Sequence, residues 1–262
     1  MTTTIALAGK GGVGKTTIAT MIIKYLAQTQ PGPVLAIDAD PSSNLNLTLG
    51  LPLDWTVGDI REGLLDQVKQ SLTAGGAAMG TLPGGVTKRD YLDYQVRSSL
   101  AEGARFDLIA MGRSEGQGCY CAVNHNLREV IDTISKQYRY VVIDNEAGLE
   151  HLSRRTTRDV QVMLIVSDPS QRGLVTAERI AAFRHDLDIH IERAYLILNR
   201  LPEAEIPAPL QARIDTMDVP LLGALPRDEQ VMQFEFSGRP LVELGDESPV
   251  YRAVAAMMRQ IL

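Results

Sequence analysis

The chain predicts a doubly wound α/β fold, a mostly parallel sheet with helices on both faces. Three observations carry that expectation. Short apolar runs recur along the sequence and are continuous rather than alternating, as in strands buried on both faces. Segments with helical spacing lie between several of them. A polar or charged residue stands just after successive runs, at Asp38, Arg113, Asp144, Ser167 and Asn199. In this architecture ligands bind beyond the C-terminal ends of the strands, so those positions mark the expected site.

Taken in order, Thr4–Ala8 reads as the first buried strand. Ile18, Ile22, Ile23 and Leu26 place a helix over 18–26. Strands follow at Val34–Ile37 and Phe106–Met111. A helix at Leu127–Gln137 leads to a strand at Tyr140–Ile143. Val160–Val166 is the next strand, Leu174–His185 the next helix, and Ala194–Leu198 and Leu221–Leu225 the last two strands. The closing segment Val250–Leu262 is amphipathic, with Val250, Val254, Met257, Met258 and Ile261 on one side, and reads as a helix packed on the domain. The stretch Leu65–Gly103 is the least regular and reads as an elaboration inside a single domain spanning 1–262.

Composition narrows the function. Of 262 residues, 45% are hydrophobic, enough for a full core. A net charge of −6 argues against general nucleic-acid binding, which needs a basic surface to neutralise phosphates. No apolar run reaches the ~18 residues that span a bilayer, and the N-terminus has no signal-peptide pattern. The expectation is a cytoplasmic protein without a membrane or nucleic-acid partner. Two cysteines make no disulfide framework and point instead to metal or redox chemistry.

The loop Gly9-Lys10-Gly11-Gly12-Val13-Gly14-Lys15-Thr16-Thr17 meets the frame G-x-x-x-x-G-K-[ST] between a strand and a helix. In a P-loop the glycines let backbone N–H groups close around phosphate oxygens. Lys15 would lie along the β- and γ-phosphates, and the Thr16 hydroxyl would reach Mg²⁺. Thr17 completes the stretch at the helix start. The expected cofactors are ATP or ADP and magnesium.

Lys10 adds a second lysine one residue after the first glycine. Here the chain resembles the deviant Walker A ATPases, the relatives of MinD, ParA and the nitrogenase iron protein, whose loop begins K-G-G-x-G-K-T. The resemblance implies that Lys10 crosses a dimer interface to the partner's phosphates, and so implies an ATP-dependent homodimer. It also implies that Asp40, in Asp38-Ala39-Asp40-Pro41-Ser42-Ser43-Asn44-Leu45, orients the attacking water. Asp38 is open to a packing or hydrogen-bonding role at the strand end. Asp144 ends a strand as a Walker B aspartate does and would hold Mg²⁺. The D-x-x-x-G spacing then puts the Gly148 N–H at the γ-phosphate. Asn199-Arg200 resembles the pair that reads adenine in this group, and Leu225-Pro226-Arg227-Asp228 its second base-contact loop. MinD-like relatives end in a membrane-surface helix, the rival reading of Val250–Leu262.

Gly116-Gln117-Gly118-Cys119-Tyr120-Cys121 follows the strand ending at Met111, on the ligand-bearing edge. Cys119 and Cys121 put two thiolates within reach of one metal ion, too few for a closed site. Two-fold symmetry would supply the other pair. Four thiolates suit zinc, nickel or an iron–sulfur cluster. His125 is a possible added ligand but reads as a surface residue.

With these cysteines, the loop and Asp144-Asn145-Glu146-Ala147-Gly148-Leu149-Glu150-His151, the chain looks like the CooC family of nickel-insertion ATPases. That resemblance implies a metallochaperone in which ATP binding and hydrolysis govern a nickel or zinc site at the dimer interface. Its client would be the apo-enzyme of carbon monoxide dehydrogenase or of acetyl-CoA synthase. Two alternatives stand beside it. An electron donor resembling the nitrogenase iron protein takes its second cysteine from the switch II region, and 144–158 here contain none. A MinD- or ParA-like positioning ATPase has no use for the cysteine pair.

Overall fold

The computed structural model describes residues 2–73, 86–113, 121–146, 159–186, 189–202 and 206–262, with backbone alone at 67–73, 121–124 and 186. Its frame is one eight-stranded sheet. In chain order the strands are β1 (Thr3–Gly9), β2 (Val34–Ala39), β3 (Ala101–Glu102), β4 (Phe106–Ala110), β5 (Tyr140–Asn145), β6 (Asp159–Ser167), β7 (His190–Leu201) and β8 (Leu221–Pro226). In space they run β3-β4-β2-β5-β1-β6-β7-β8. All neighbours pair in parallel except the short edge strand β3, which is antiparallel to β4.

Alternate side chains of each central strand feed two cores, so Ile5–Ala8 of β1 and Val162–Val166 of β6 are apolar on both faces. On β1, Ile5 and Leu7 pack with helices α1 (Lys15–Thr29) and α9 (Pro249–Ile261). Ala6 and Ala8 point to the other face. There they meet the side of the sheet covered by α3 (Val57–Thr73), α4 (Lys88–Ser98), α5 (Cys121–Ser135), α6 (Gln171–Phe183) and α7 (Ala208–Ile214). This is the doubly wound arrangement the uninterrupted apolar runs predict.

The crossovers place the site. From β1 the chain passes through α1 to β2, stepping over the position of β5. Beyond β5 it returns to the opposite side of β1, where β6 pairs. Winding therefore reverses around β1, and a crevice opens above its C-terminal end, where such folds bind ligands.

Three elements go beyond the sequence expectation. Helix α2 (Leu45–Leu49) follows β2 directly, and α3 and α4 occupy much of what reads as irregular sequence. The N-terminal signals of α3 and α4 were present. Asp59 accepts from the Thr56 backbone N–H, and its own N–H donates to Thr56 Oγ1. Thr87 Oγ1 accepts from the Asp90 N–H in the same way. The C-terminal helix α9 buries Val250, Tyr251, Val254, Ala255, Met257, Met258 and Ile261, matching the packed-helix expectation. No helix among the described residues is long and apolar enough to cross a membrane.

Candidate functional site

β1 ends at Gly9, and after five intervening residues the chain enters α1 at Lys15. A Cβ on Gly9 would lie 2.3 Å from the Val166 carbonyl oxygen of β6, so only glycine lets the loop leave so close to its neighbour. Gly14 caps α1 with φ 92°, in the left-handed region. Lys15 is buried and folds back over the loop, its Nζ donating to the carbonyls of Gly9 at 3.3 Å and Lys10 at 3.2 Å. Burial pulls the Lys15 amine below its ordinary pKa, against the attraction of Asp144, Asp40 and Glu146. Lys10, Gly11 and Gly12 are exposed, Val13 is buried, and Thr16 and Thr17 are half-buried.

Three aspartates converge on this loop. The Thr16 hydroxyl lies beside the Asp144 carboxylate and favours its charged form. Burial pushes the Asp144 carboxyl up to about 7, and the nearby carboxylates of Asp38 and Asp40 add to the effect. Its Oδ1 is buried and has no hydrogen-bond partner among the described residues. A hydroxyl and an unsatisfied carboxylate oxygen side by side are a fitting donor set for a hard divalent cation such as Mg²⁺.

Asp38 accepts from the Asp40 N–H at 3.0 Å and the Leu45 N–H at 2.9 Å, and burial raises its pKa to about 6. It therefore shapes the turn into α2, the hydrogen-bonding alternative of the sequence reading. Asp40 is half-buried at the mouth, with Oδ1 accepting from the Ser42 N–H at 2.8 Å.

A pocket of about 390 Å³ opens beside the start of α1. Asn199, Arg200 and Pro226 line it together with Thr17 and Ile18, so the three candidate base contacts converge. Two refinements follow. Asn199 and Arg200 do not follow a strand but lie within β7, where its pairing with β8 shifts register between Leu198 and Leu201. Asn199 also has both polar atoms engaged. Its Nδ2 donates to the Val13 carbonyl at 2.7 Å and its Oδ1 accepts from the Arg200 N–H at 2.9 Å.

The far wall of the pocket is α8 (Glu229–Ser237), which contributes Met232 and Phe236. Asp228 caps that helix through the Gln230 N–H at 2.9 Å, and its other oxygen accepts from the buried Ser248 hydroxyl at 2.6 Å. Ser248 in turn caps α9. The sequence reading did not single out Ser248, although Ser-Pro before an amphipathic run is a helix-start signal. It also missed Asn145, which is buried and donates to the Leu7 carbonyl at 2.8 Å, tying β5 to β1 below the loop.

Cys119 and Gly148 lie outside the described residues, as does the side chain of Cys121, the first residue of α5. His125 lies on the exposed face of α5, 3.4 Å from Glu129, as a surface residue would. No group of three or more metal-ligating side chains occurs among the described residues.

Residues 4–241 match the model of the CobQ/CobB/MinD/ParA nucleotide binding domain. The chain belongs to that family. An uncharacterized ATP-binding protein of Methanocaldococcus jannaschii is 42% identical, with 98% of each chain covered. The carbon monoxide dehydrogenase accessory protein CooC of Rhodospirillum rubrum is 31% identical over 98% of this chain and 95% of its own. Among solved structures, MinD of Pyrococcus horikoshii complexed with Mg-ADP superposes with TM-score 0.68 at 24% identity, over 100% of this chain and 96% of that one. MinD of Aquifex aeolicus gives TM-score 0.68 at 21%, over 98% and 95%. These likenesses agree on the fold, an eight-stranded member of this P-loop family.

Proposed function

We propose that this protein is an ATP-hydrolysing metallochaperone of the CooC kind. The observation that carries the proposal is the coincidence of the Cys119-Tyr120-Cys121 element with 31% identity to CooC along 98% of the chain. The fold adds support, since β4 runs parallel to β2 and ends at Ala110 on the same sheet edge as the P-loop.

In this reading the P-loop amides of Gly9–Thr17 and the Lys15 amine hold the phosphates of ATP. Thr16 and Asp144 would hold magnesium, which would supply charge neutralisation to the phosphates. Asp40 orients the water that attacks the γ-phosphate, and the Gly148 N–H senses that phosphate. Asn199, Arg200 and Pro226 surround the adenine. The exposed Lys10 reaches the phosphates of a second copy and favours the closed homodimer. Closure brings Cys119 and Cys121 of both copies together around a nickel or zinc ion. Hydrolysis reopens the dimer and passes the ion to apo carbon monoxide dehydrogenase or acetyl-CoA synthase in the cytoplasm. If nucleotide changes metal affinity, metal changes nucleotide affinity by the same factor.

The test pairs Cys119→Ser with Cys121→Ser and measures Ni²⁺, Zn²⁺ and ATP binding. The expected outcome is loss of stoichiometric metal binding with ATP affinity unchanged. Undiminished metal binding would sink the metallochaperone assignment. A MinD-like positioning role is the second reading, favoured by the solved structures that share the fold. Its membrane form is disfavoured because the apolar side of α9 is buried against the core. ATP-dependent flotation with liposomes would restore it.

A further inference from the structure

The Asn199-Arg200 pair does something that base recognition does not require. Asn199 Nδ2 binds the Val13 carbonyl at 2.7 Å, and Arg200 Nη1 binds the Gly12 carbonyl at 3.0 Å. Two consecutive carbonyls of the phosphate loop are thus held by two consecutive residues from far along the chain. The backbone is bent to achieve this. Arg200 adopts φ 61°, a left-handed conformation that non-glycine residues take at a cost, within the register shift of β7 against β8. A Cβ on Gly14 would lie 2.3 Å from Asn199 Nδ2, so the side chain fills the space that glycine leaves.

The consequence follows from peptide geometry. In a planar trans peptide the C=O and the next N–H point in opposite directions. Holding the Val13 carbonyl aside aims the Gly14 N–H the other way, and holding the Gly12 carbonyl does the same for the Val13 N–H. A P-loop binds anions only while such N–H groups, and not carbonyls, face the ligand.

We propose that Asn199 and Arg200 are positioning residues that lock the Gly12 and Val13 carbonyls and so pre-form the phosphate cradle before any nucleotide arrives. The inference rests on the nucleotide-binding reading above and assigns these residues to the phosphate end as well as the base end.

The experiment compares the wild-type protein with Asn199→Ala, Asn199→Asp and Arg200→Ala. Asn199→Asp keeps the shape and the acceptor to the Arg200 N–H but loses the donor to Val13, which guards against a misfolded alanine variant. The readouts are affinity for Mg-ATP, Mg-GTP and Mg-tripolyphosphate, which has no base, and amide hydrogen exchange over 9–17 in the nucleotide-free protein. Loss of one buried hydrogen bond predicts about tenfold weaker binding, equal to about 1.4 kcal/mol. That loss should be the same for ATP and tripolyphosphate in both Asn199 variants, with the ATP-to-GTP preference kept and exchange over the loop faster. Arg200→Ala, at an exposed contact, should lose about threefold on the same pattern. Unchanged tripolyphosphate affinity and unchanged exchange, with the ATP preference lost, would overturn the proposal and leave Asn199 a base reader. Failure of the wild type to bind any of the three ligands would instead break the nucleotide reading, and exchange in the nucleotide-free protein would still decide the positioning role.

Discussion

The two walls of the candidate site are built in opposite ways. At the phosphate end, α1 has eleven of its fifteen residues buried, among them Ile18, Met21, Ile22 and Ile23. At the base end, α8 has none, and Phe236 is 88% exposed. The first wall is fixed by the core itself, while the second rests on it through half-buried Val231 and Phe234 and is capped by Asp228 at one end and Gly238 at the other. Triphosphate is the same in every nucleotide and rewards a rigid receptor. A base or a neighbouring molecule has to be admitted, and a helix with little buried surface can shift at low cost.

The sharpest way to break this contrast is to cut into each helix and compare. Ile22→Ala, at a fully buried position, should lower unfolding stability by about 2–5 kcal/mol in urea denaturation. A loss below about 0.5 kcal/mol would mean that α1 is not the fixed wall. An intermediate effect concerns charge between the walls. The Asp144 carboxyl is pushed up to about 7 by burial, from an ordinary value of 3.8. Between those values the folded chain keeps a proton that the unfolded chain has released, so stability of the nucleotide-free protein rises as pH falls from about 7 toward about 4. Asp38, raised to about 6, acts in the same direction over a narrower range. Asp144→Asn should therefore melt higher than the wild type near pH 8 and lose that advantage toward pH 5. Parallel melting curves across the range would show that the carboxylate is solvated. The smallest effect is expected at the loose wall. Phe236→Ala should change stability by no more than about 0.5 kcal/mol, and any loss of ATP affinity should spare tripolyphosphate. A large drop in melting temperature would show that α8 is as integrated as α1.

Much of this contrast could be read from the sequence, and the reasons are physical. Apolar runs such as Val160–Val166, interrupted at Gln161 and rich in β-branched residues, read as doubly buried strands, and β6 is such a strand. The phosphate loop is equally plain, because its glycines and lysine keep a fixed spacing and Gly14 answers to a local constraint, its left-handed φ of 92°. Helices α3 and α4 were harder, since α4 buries only Leu92 and Val96 and leaves most of its surface polar. Their Thr-x-x-Asp capping frames were the available signal. The Asn199 contact to Val13 could not be read at all. It depends on a shift in strand register between β7 and β8, and register is set by tertiary pairing, not by residue type.

That last contact also bears on how the protein comes into being. Val13 and Asn199 are separated by 186 positions. At synthesis rates of about 5–20 residues per second, the loop leaves the ribosome roughly 10–40 s before Asn199 does. The nascent chain thus carries the Gly9–Thr17 motif long before it carries the side chain that holds the Val13 carbonyl. Under the proposed positioning role, the cradle is complete only once the strand that carries Asn199 has been laid down.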